Sequence, residues 1–374
     1  MWHRAPTPRK PVKVRLEDRL PTWASSAGSD DLFCAGAWFE HFAATAMRPD
    51  EVPKFLQLQG FSNNGPLALA LKLSRGDAVP HPRLLESMVN YYSCGYGPIA
   101  TSPPGSAALN DLVDALARAG GKFDGLRIGP LDRSAEFSDA LEAGLRNGGF
   151  WTFWTHAFFN WYAETSGTSY ARYLQELPSS FPSTSEKRRQ AFLRKATGSI
   201  VIAQTPSELH EQIRAYEQIY AASWKVPEPF PSFMPGLMHL AAERGWLRLG
   251  VLRVGAEPAA AQVWFVVDGR ALIYKVAYDE RFAKLSVGSM LTCALLERVI
   301  DVDRVREVDF LSGDDGYKAK WMLARRERYN LLAFNLRRWR GLTAGFREWI
   351  SQRRSSIGGR PVASVNVAGA ALDR

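Results

Sequence analysis

Residues 271–321 read ALIYKVAYDERFAKLSVGSMLTCALLERVIDVDRVREVDFLSGDDGYKAKW. This pattern predicts a strand, a short Ser-Val-Gly turn, an amphipathic helix, a second strand and the start of another helix. A helix that opens just after a strand presents backbone N–H groups at its N-terminus, and such groups bind phosphates. The second strand ends at Ser312 and is followed by Asp314 and Tyr317, whose polar side chains would lie beside the ligand. The stretch therefore predicts an α/β domain that holds a phosphate-bearing ligand.

The turn before the predicted helix is the segment KLSVGS at residues 284–289. Gly288 has no side chain, so it lets the backbone approach a phosphate closely. Ser286 or Ser289 can cap the helix or contact the phosphate. Ordinary helix capping is the alternative interpretation of a turn with a single glycine.

Length and composition are those of a folded protein with more than one core. The chain has 374 residues, of which 46% are hydrophobic and 23% charged, and this length favours two domains. Its formal net charge is +9 and its isoelectric point is about 9.5. A basic chain attracts polyanionic partners, namely a nucleotide cofactor, a nucleic acid or an acidic membrane face. The alternative is that the charge serves solubility alone.

Three cysteines, Cys34, Cys94 and Cys293, are widely spaced and form no CxxC pair. This usage is typical of a reduced compartment and argues against a disulfide framework or a zinc site. The histidines show no metal-ligand spacing with acidic residues or cysteines, so we expect no metal cofactor. No apolar run approaches the roughly 20 residues of a membrane span, and the N-terminus lacks the apolar segment of a secretory signal. We therefore expect a cytoplasmic protein.

The predicted elements follow a similar order in the two halves of the chain, which suggests a repeated architecture. Each half is predicted to be a lobe of interspersed helices and strands, so the expected fold class is α/β (α+β). The predicted segments are a flexible N-terminal arm over residues 1–30, a first lobe over 31–165, a second lobe over 166–340 and a basic, flexible tail over 341–374.

Several local patterns predict individual elements. Residues 107–119 carry apolar side chains at helical spacing, which predicts a helix. Residues 170–196 are predicted to form a single helical stretch, in which basic residues cluster at 187–195. A polar turn at residues 62–66 is predicted between two short strands. Ser207 is predicted to begin a further helix with a partial capping box.

Several motifs of the chain occur together in one protein family. They are YKVAYD (274–279), SVG (286–288), VDFLSGD (308–314) and YKAKW (317–321), with FNWY (159–162), KRR (187–189) and NYY (90–92) upstream. Together they resemble GNAT-type acyltransferases and, more narrowly, the CelD/BcsL branch, a relative of the Fem-type aminoacyl transferases. The resemblance extends over residues 31–335. It implies two tandem GNAT-like lobes, each a mixed, mostly antiparallel twisted sheet flanked by helices. The first lobe would be degenerate, and the second would bind acyl-CoA.

The resemblance also implies a site for acetyl-CoA or another acyl-CoA as co-substrate. The pyrophosphate would lie on the backbone amides from Leu285 to Met290, and the pantetheine would follow the strand that ends near Tyr278. The usual GNAT loop has a Gln or Arg followed by two spaced glycines, and Gly288 is the glycine present here. The implied cofactor-binding residues are Val276, Ala277, Tyr278, Leu285, Ser286, Val287, Gly288, Ser289, Met290 and Lys318.

Two residues are expected to be catalytic. In many GNAT enzymes a tyrosine just after the following strand protonates the departing thiolate, and Tyr317 holds the matching position. A phenol with a pKa near 10 is an adequate acid for a thiolate, and a core aromatic is the alternative role. Asp309 lies on a strand that we expect to be buried, where a carboxylate needs a partner such as Lys318. Asp309 is therefore predicted either as a general base or as a salt-bridged structural residue.

The candidate substrate-binding residues are His156, Asp314 and Trp224. His156 lies in the alternation FWTFWTHAFFNWY, where a packed histidine is the alternative. Asp314 lies in a loop, where a solvated turn carboxylate is the alternative. Trp224 opens a Pro- and Phe-rich segment at residues 224–235, which predicts an apolar, aromatic acceptor pocket.

Three functions are compatible with these observations. The first is an acyl-CoA-dependent N-acyltransferase that moves an acyl group, by direct attack, to an amine of a small metabolite or of a cell-envelope or polysaccharide precursor. The second is a Fem-like transferase that uses aminoacyl-tRNA, which the basic cluster at residues 187–195 favours, although no long coiled-coil arm of the Fem kind is predicted. The third is a catalytically inactive GNAT-like protein that binds partners in polysaccharide biosynthesis.

Overall fold

The computed structural model describes residues 13–27, 29, 31–59, 65–74 and 81–358. The turn predicted at residues 62–66 lies outside this part of the chain, except for its last two residues. The same holds for the beginning of the predicted arm and the end of the predicted tail.

Strands and helices are interspersed along the described chain. The strands are β1 (Lys13–Glu17), β2 (Glu51–Gln59), β3 (Leu67–Ser74), β4 (Leu84–Ser87), β5 (Ile99–Ala100), β6 (Gly125–Leu131), β7 (Phe150–Glu164), β8 (Gly198–Ala203), β9 (Leu247–Val254), β10 (Glu257–Val267), β11 (Arg270–Tyr278), β12 (Glu307–Ser312) and β13 (Ala324–Asn335). The helices are α1 (Thr22–Ser25), α2 (Gly36–Thr45), α3 (Ser106–Gly120), α4 (Glu136–Asn147), α5 (Tyr170–Glu176), α6 (Phe181–Arg194), α7 (Leu209–Ala221), α8 (Phe233–Glu243), α9 (Val287–Glu297) and α10 (Trp339–Gly358).

The chain divides into two compact units. The first comprises residues 1–157 together with 328–374, and the second comprises residues 158–327. The chain therefore passes from the first unit to the second within β7 and returns within β13. The boundary expected after residue 165 lies later in the chain than this first crossing. The segments predicted as a flexible arm and a flexible tail contain β1, α1 and α10. Strand β1 pairs with β2, and α10 approaches its neighbours closely at Gly341 and Gly345, contacts that the sequence pattern does not reveal.

The first unit is built on a sheet with the strand order β1-β2-β3-β4-β6-β13. Neighbouring strands are antiparallel, apart from the parallel pair of β4 and β6. Helix α3 buries Leu109, Leu112 and Leu116 on one face, which confirms the helix predicted at residues 107–119. Each large apolar side chain buried in this way contributes about 1.5–3 kcal/mol to folding.

The second unit is built on a sheet with the strand order β7-β12-β11-β10-β9-β8. Its strands are antiparallel apart from β11 and β12, which run parallel. Helix α9 packs on this sheet, with Leu291 and Leu295 in a core that also contains the fully buried Trp264 and Trp321. The predicted fold class, a mostly antiparallel twisted sheet flanked by helices, is confirmed.

Two helix predictions need correction. The single helical stretch expected at residues 170–196 is two helices, α5 and α6, because Pro178 follows α5 and lacks the N–H that a continuing helix requires. The predicted helix start at Ser207 is instead a capping box built on Thr205, whose backbone and side chain both bond to Glu208. The carboxylate therefore sits three residues after the cap, as a capping box requires.

Candidate functional site

The parallel strands β11 and β12 stay paired over only three residues. Their register joins Arg270 to Glu307 and ends where Leu272 meets Asp309, although β11 continues to Tyr278. The pairing of β12 with β7 also shifts after Asp309, and Leu311 has a φ of 55°, a conformation that a non-glycine residue adopts only under constraint. The facing edges of β11 and β12 are therefore unpaired at their C-terminal ends.

Helix α9 begins beside the C-terminal end of β11. The preceding residue, Ser286, is left-handed, with φ 60° and ψ 35°, and its side chain makes no capping hydrogen bond to the helix. Its Oγ instead accepts a hydrogen bond of 2.5 Å from the Arg188 guanidinium of α6. The start of α9 thus combines helix N–H groups with a cation, the two features that bind a phosphate.

The structure narrows the set of amides that can bind a phosphate there. The sequence predicted the amides from Leu285 to Met290 as that set. The Ser286 N–H donates to Ala283 O, and the Met290 N–H donates to Ser286 O. The amides that precede the first intrahelical hydrogen bond are therefore those of Val287, Gly288 and Ser289.

Gly288 lies next to the aromatic ring of Tyr278 at the end of β11. A Cβ built on Gly288 would lie 3.2 Å from Cδ1 of Tyr278, so a larger side chain would have to displace that ring. The Tyr278 ring in turn contacts the ring of Trp224, with centroids 4.6 Å apart. Trp224 is 52% exposed. The close approach explains why glycine occupies position 288.

A buried hydrogen-bond network supports the first turns of α9. The Gln262 side chain, fully buried on β10, donates to Gly288 O and to Thr292 Oγ1, both at 2.9 Å. Its carbonyl accepts from the Trp264 indole. A buried side-chain amide that makes three hydrogen bonds holds its partners in one geometry. The sequence reasoning did not identify Gln262, although a glutamine within an apolar strand was a usable signal.

Tyr317 lies against the second turn of α9. Its hydroxyl is 3.4 Å from Thr292 Oγ1, and its ring contacts Phe181, Phe310 and Trp321 edge to face. Burial raises the pKa of Tyr317, and hydrogen bonds with Thr292 and Ser289 only partly oppose this rise. The phenol is therefore protonated at neutral pH and lies one helical turn from the N-terminal amides of α9.

Asp309 is buried in an ion network rather than paired with Lys318. One carboxylate oxygen accepts hydrogen bonds from the Leu311 N–H and from Asn160, both at 2.6 Å. The other accepts from Arg326 and, at 3.2 Å, from Arg270. Both oxygens of this carboxylate are thus occupied by structural contacts, two with guanidinium groups, one with a side-chain amide and one with a backbone N–H. This geometry favours the structural alternative for Asp309, in which it fixes the irregular turn of β12 at Leu311.

The other loop residues predicted for the site make local contacts. The Lys318 ammonium donates to the carbonyl oxygens of Phe310, at 3.1 Å, and Ser312. Asp314 accepts hydrogen bonds of 2.8 Å from Trp161 and Arg325. Both side chains therefore shape the loop that follows β12.

His156 belongs to the first unit, where its ring contacts Tyr329 edge to face with centroids 5.8 Å apart. This is the packed-histidine arrangement that the sequence left open as an alternative. The remaining predicted cofactor residues, Val276 and Ala277, lie on β11 with Tyr278, and Val276 packs on the core of the second unit.

The sequence analysis did not predict a cluster of charged side chains that lies near β11. The Lys275 ammonium of β11 lies 2.7 Å from a carboxylate oxygen of Glu228. Burial and the neighbouring ammonium of Lys275 lower the pKa of Lys225, and Lys318 adds to this effect. These residues are far apart in sequence, so no local pattern indicated the cluster.

Within the described part of the chain, no group of histidine, cysteine, aspartate and glutamate side chains is arranged to hold a metal ion. None of the helices described here is long and apolar enough to span a bilayer. Burial raises the pKa of the Cys293 thiol in α9 to about 12, so this cysteine is not an activated nucleophile.

Comparisons with known proteins identify a similar domain family and similar folds. The sequence profile of the Acetyltransferase (GNAT) domain family matches residues 179–319. The crystal structure of FemX matches 84% of this chain and 94% of its own, with a TM-score of 0.59 and 10% identity. The C-terminal domain of a putative lysylphosphatidylglycerol synthetase from Agrobacterium fabrum matches 79% of this chain and 87% of its own, with a TM-score of 0.50 and 13% identity. No curated protein matches the sequence.

The two structural similarities concern the fold, whereas the sequence match concerns the second unit. The matched segment contains β11, α9 and β12 and ends just after Tyr317. Residues 179–319 therefore match the Acetyltransferase (GNAT) domain family, in a chain whose fold is similar to that of FemX.

Proposed function

We propose that the protein is an acyl-CoA-dependent N-acyltransferase that acylates an amine of a small metabolite or of a cell-envelope or polysaccharide precursor. The observation that carries the proposal is the meeting of three features in the second unit. They are the unpaired C-terminal edges of β11 and β12, the N-terminal amides of α9 and the protonated hydroxyl of Tyr317.

The residues at the start of α9 fit a pyrophosphate. The amides of Val287, Gly288 and Ser289 would donate to its oxygens, and the Arg188 guanidinium would pair with its charge. Position 288 accepts the close approach of a ligand because it carries no side chain. The open edge of β11 offers backbone groups to the amides of pantetheine and to the thioester carbonyl.

The acyl transfer would be direct. The acceptor amine attacks the thioester carbonyl, a C–N bond forms, the C–S bond breaks, and the amine releases its proton to solvent or a nearby base. Tyr317 donates its proton to the departing thiolate, because its raised pKa keeps the phenol protonated until that charge develops. A cysteine-bound intermediate is not part of the proposal, because the Cys293 thiol has a pKa of about 12.

The acceptor is proposed to bind on the side of β11 that carries Lys275. There Lys225, Lys275 and Glu228 together bear more positive than negative charge, which suits an acceptor with a carboxylate or phosphate besides its amine. The exposed ring of Trp224 offers an apolar surface next to this cluster.

Calorimetric titration with acetyl-CoA tests the donor. We expect binding by the natural chain, loss of binding in Gly288→Trp, and unchanged binding in the control Ala256→Trp, whose exposed turn lies between β9 and β10. The Gly288→Trp side chain would collide with Tyr278 and cover the amides. Absence of binding to any acyl-CoA would reject the proposal.

An aminoacyl-tRNA donor is the second candidate, supported by the shared fold with FemX and by the exposed basic side chains of α6. Titration with total charged tRNA separates the two donors, because a Fem-like enzyme would bind tRNA and leave acetyl-CoA unbound. Binding of neither donor would favour the non-catalytic alternative. Mass spectrometry after incubation with acetyl-CoA alone should detect no acylated protein if the transfer is direct.

A further inference from the structure

Helix α10 carries an exposed stripe of large apolar side chains. Trp339, Leu342 and Phe346 are 72%, 48% and 52% exposed. Their spacing of three and four residues places them on one face of the helix. Contiguous exposed apolar surface of this kind marks an interaction site. We call these three residues the apolar stripe.

A different face of α10 packs against the first unit, so the exposure of the apolar stripe is a consequence of how the helix is seated. A Cβ on Gly341 would lie 2.3 Å from Asn335 O, and one on Gly345 would lie 3.2 Å from the Trp151 ring. The Gln352 side chain donates to Trp154 O on the same face. These close contacts fix the rotation of α10 and leave the apolar stripe pointing outward.

Arginines border the apolar stripe. Arg340, Arg347 and Arg354 recur at intervals of seven residues and therefore follow one line along the helix. Helix α10 contains four arginines and a single glutamate, Glu348. Arg347 and Arg354 also line a surface hollow together with Ile350 and Ser351. We call Arg340, Arg347 and Arg354 the arginine row.

We propose that α10 docks on an anionic lipid bilayer, with the apolar stripe inserted at the headgroup level and the arginine row bound to lipid phosphates. An amphipathic helix with aromatic and aliphatic side chains on one face and basic residues beside them lies in the membrane interface. Each arginine near an anionic surface adds attraction that salt weakens. The charge of α10 thus complements the phosphates of a bilayer.

Charge and side-chain type favour a bilayer over other occupants. A second copy of the chain would bring two arginine rows together, which like-charge repulsion opposes. Single-stranded RNA binds basic grooves with aromatic rings, but the apolar stripe is a convex helix surface and includes the aliphatic Leu342. The inference is independent of the acyl donor, because it concerns only the first unit.

Sedimentation with lipid vesicles tests the proposal. We expect the full chain to bind vesicles of equal phosphatidylglycerol and phosphatidylcholine about tenfold more strongly than vesicles of phosphatidylcholine alone, and less strongly at high salt. The double variant Trp339→Ser with Phe346→Ser should lose at least about tenfold of this binding. The double variant Arg347→Glu with Arg354→Glu should lose the preference for anionic vesicles.

Matched controls keep the result specific to α10. Leu193→Ser with Val201→Ser removes two exposed apolar side chains elsewhere, and Lys187→Glu with Arg194→Glu makes the same charge change on α6. Both controls should bind vesicles like the natural chain, and circular dichroism should find all variants folded. Unchanged vesicle binding of the two α10 variants would overturn the proposal. So would a concentration-dependent dimer that the Trp339→Ser, Phe346→Ser variant abolishes without any vesicle binding.

Discussion

Within the described residues, each unit holds one parallel strand pair, β4 with β6 in the first and β11 with β12 in the second. In the first unit the pair is continued by Ser87, whose Oγ donates to Gly129 O at 2.7 Å and accepts from Gly129 N–H at 3.2 Å. In the second unit the pairing ends at Leu272 and Asp309, and β12 turns at Leu311. In the first unit, side-chain hydrogen bonds therefore join the ends of the two parallel strands. In the second unit, the ends of the two parallel strands are not paired with each other.

The helix that lies between the two strands of each pair in the chain also begins differently in the two units. Helix α9 begins one short 3₁₀ segment after β11. Helix α3 begins at Ser106, after a long loop in which the buried Tyr96 hydroxyl bonds to Ala70 O. An acyl donor needs both open strand edges and an adjacent helix start, so we expect it to bind the second unit alone.

Asp309→Ala should have the largest effect. The substitution removes a buried carboxylate, leaves the half-buried Arg270 and Arg326 with one carboxylate fewer and releases the Leu311 N–H, so we expect a loss of about 3–5 kcal/mol in the free energy of unfolding. Urea titration measures it. The control Glu176→Ala removes an exposed ion pair with Arg172 and should cost under about 1 kcal/mol. Equal losses in both variants would contradict a structural role for Asp309.

Tyr317→Phe should lower kcat by about 100-fold while the dissociation constant for acetyl-CoA is unchanged, because the variant loses a proton donor and keeps its ring packing. The matched control in the first unit is Tyr96→Phe, which should leave kcat unchanged and cost about 1 kcal/mol of stability through its lost hydrogen bond. An unchanged kcat in Tyr317→Phe would remove this residue from the mechanism.

The pH dependence of kcat should reflect the same residue. Because burial raises the pKa of Tyr317, its phenol keeps its proton above the ordinary tyrosine value of about 10. The kcat profile should therefore have no descending limb below about pH 10. A limb with a midpoint near pH 8 that disappears in Tyr317→Phe would show that the phenol ionises too easily for this role.

Ser87→Val should destabilise the first unit by about 2 kcal/mol, because the buried N–H and carbonyl of Gly129 lose a hydrogen-bond partner. Acetyl-CoA affinity should be unchanged. Thermal unfolding and calorimetric titration measure the two quantities. A variant of normal stability that no longer binds acetyl-CoA would mean that the first unit takes part in donor binding.

Arg188→Ala should have the smallest effect, a rise of about tenfold in the dissociation constant of acetyl-CoA from loss of one charge-assisted hydrogen bond. Lys187→Ala is the control, since Lys187 is the adjacent exposed cation of α6 and makes no hydrogen bond with the described residues. Equal weakening in both variants would point to general attraction by positive charge.

The motifs around α9 were the part of the site that sequence reasoning could reach. Ser286 and Gly288 stand at the start of α9, and Tyr317 contacts Thr292 of the same helix, because these residues belong to consecutive elements of one strand–helix–strand unit. Arg188 was recognised only as part of a basic cluster. Its contact with Ser286 joins two helices separated by about a hundred residues, and no local pattern encodes such a contact.

Asp309 illustrates the same limit. Its burial followed from the apolar residues around it in β12, yet its partners come from β7, β11 and β13. Lys318 is nearer in sequence, but it bonds to the carbonyls of Phe310 and Ser312. Which cation pairs with Asp309 depends on the order of the strands in the sheet. The spacing of residues along the sequence does not predict that order.

Local periodicity and turn chemistry in the sequence predicted most strands and helices and the turn that begins α9. Tertiary structure alone decided which strand pair is open, which amides of the turn precede the first helical hydrogen bond, and which face of α10 is exposed. Those properties arise from contacts between elements that are distant in the chain. The turn that begins α9 could thus be predicted from the sequence, whereas the position of Arg188 beside it could not.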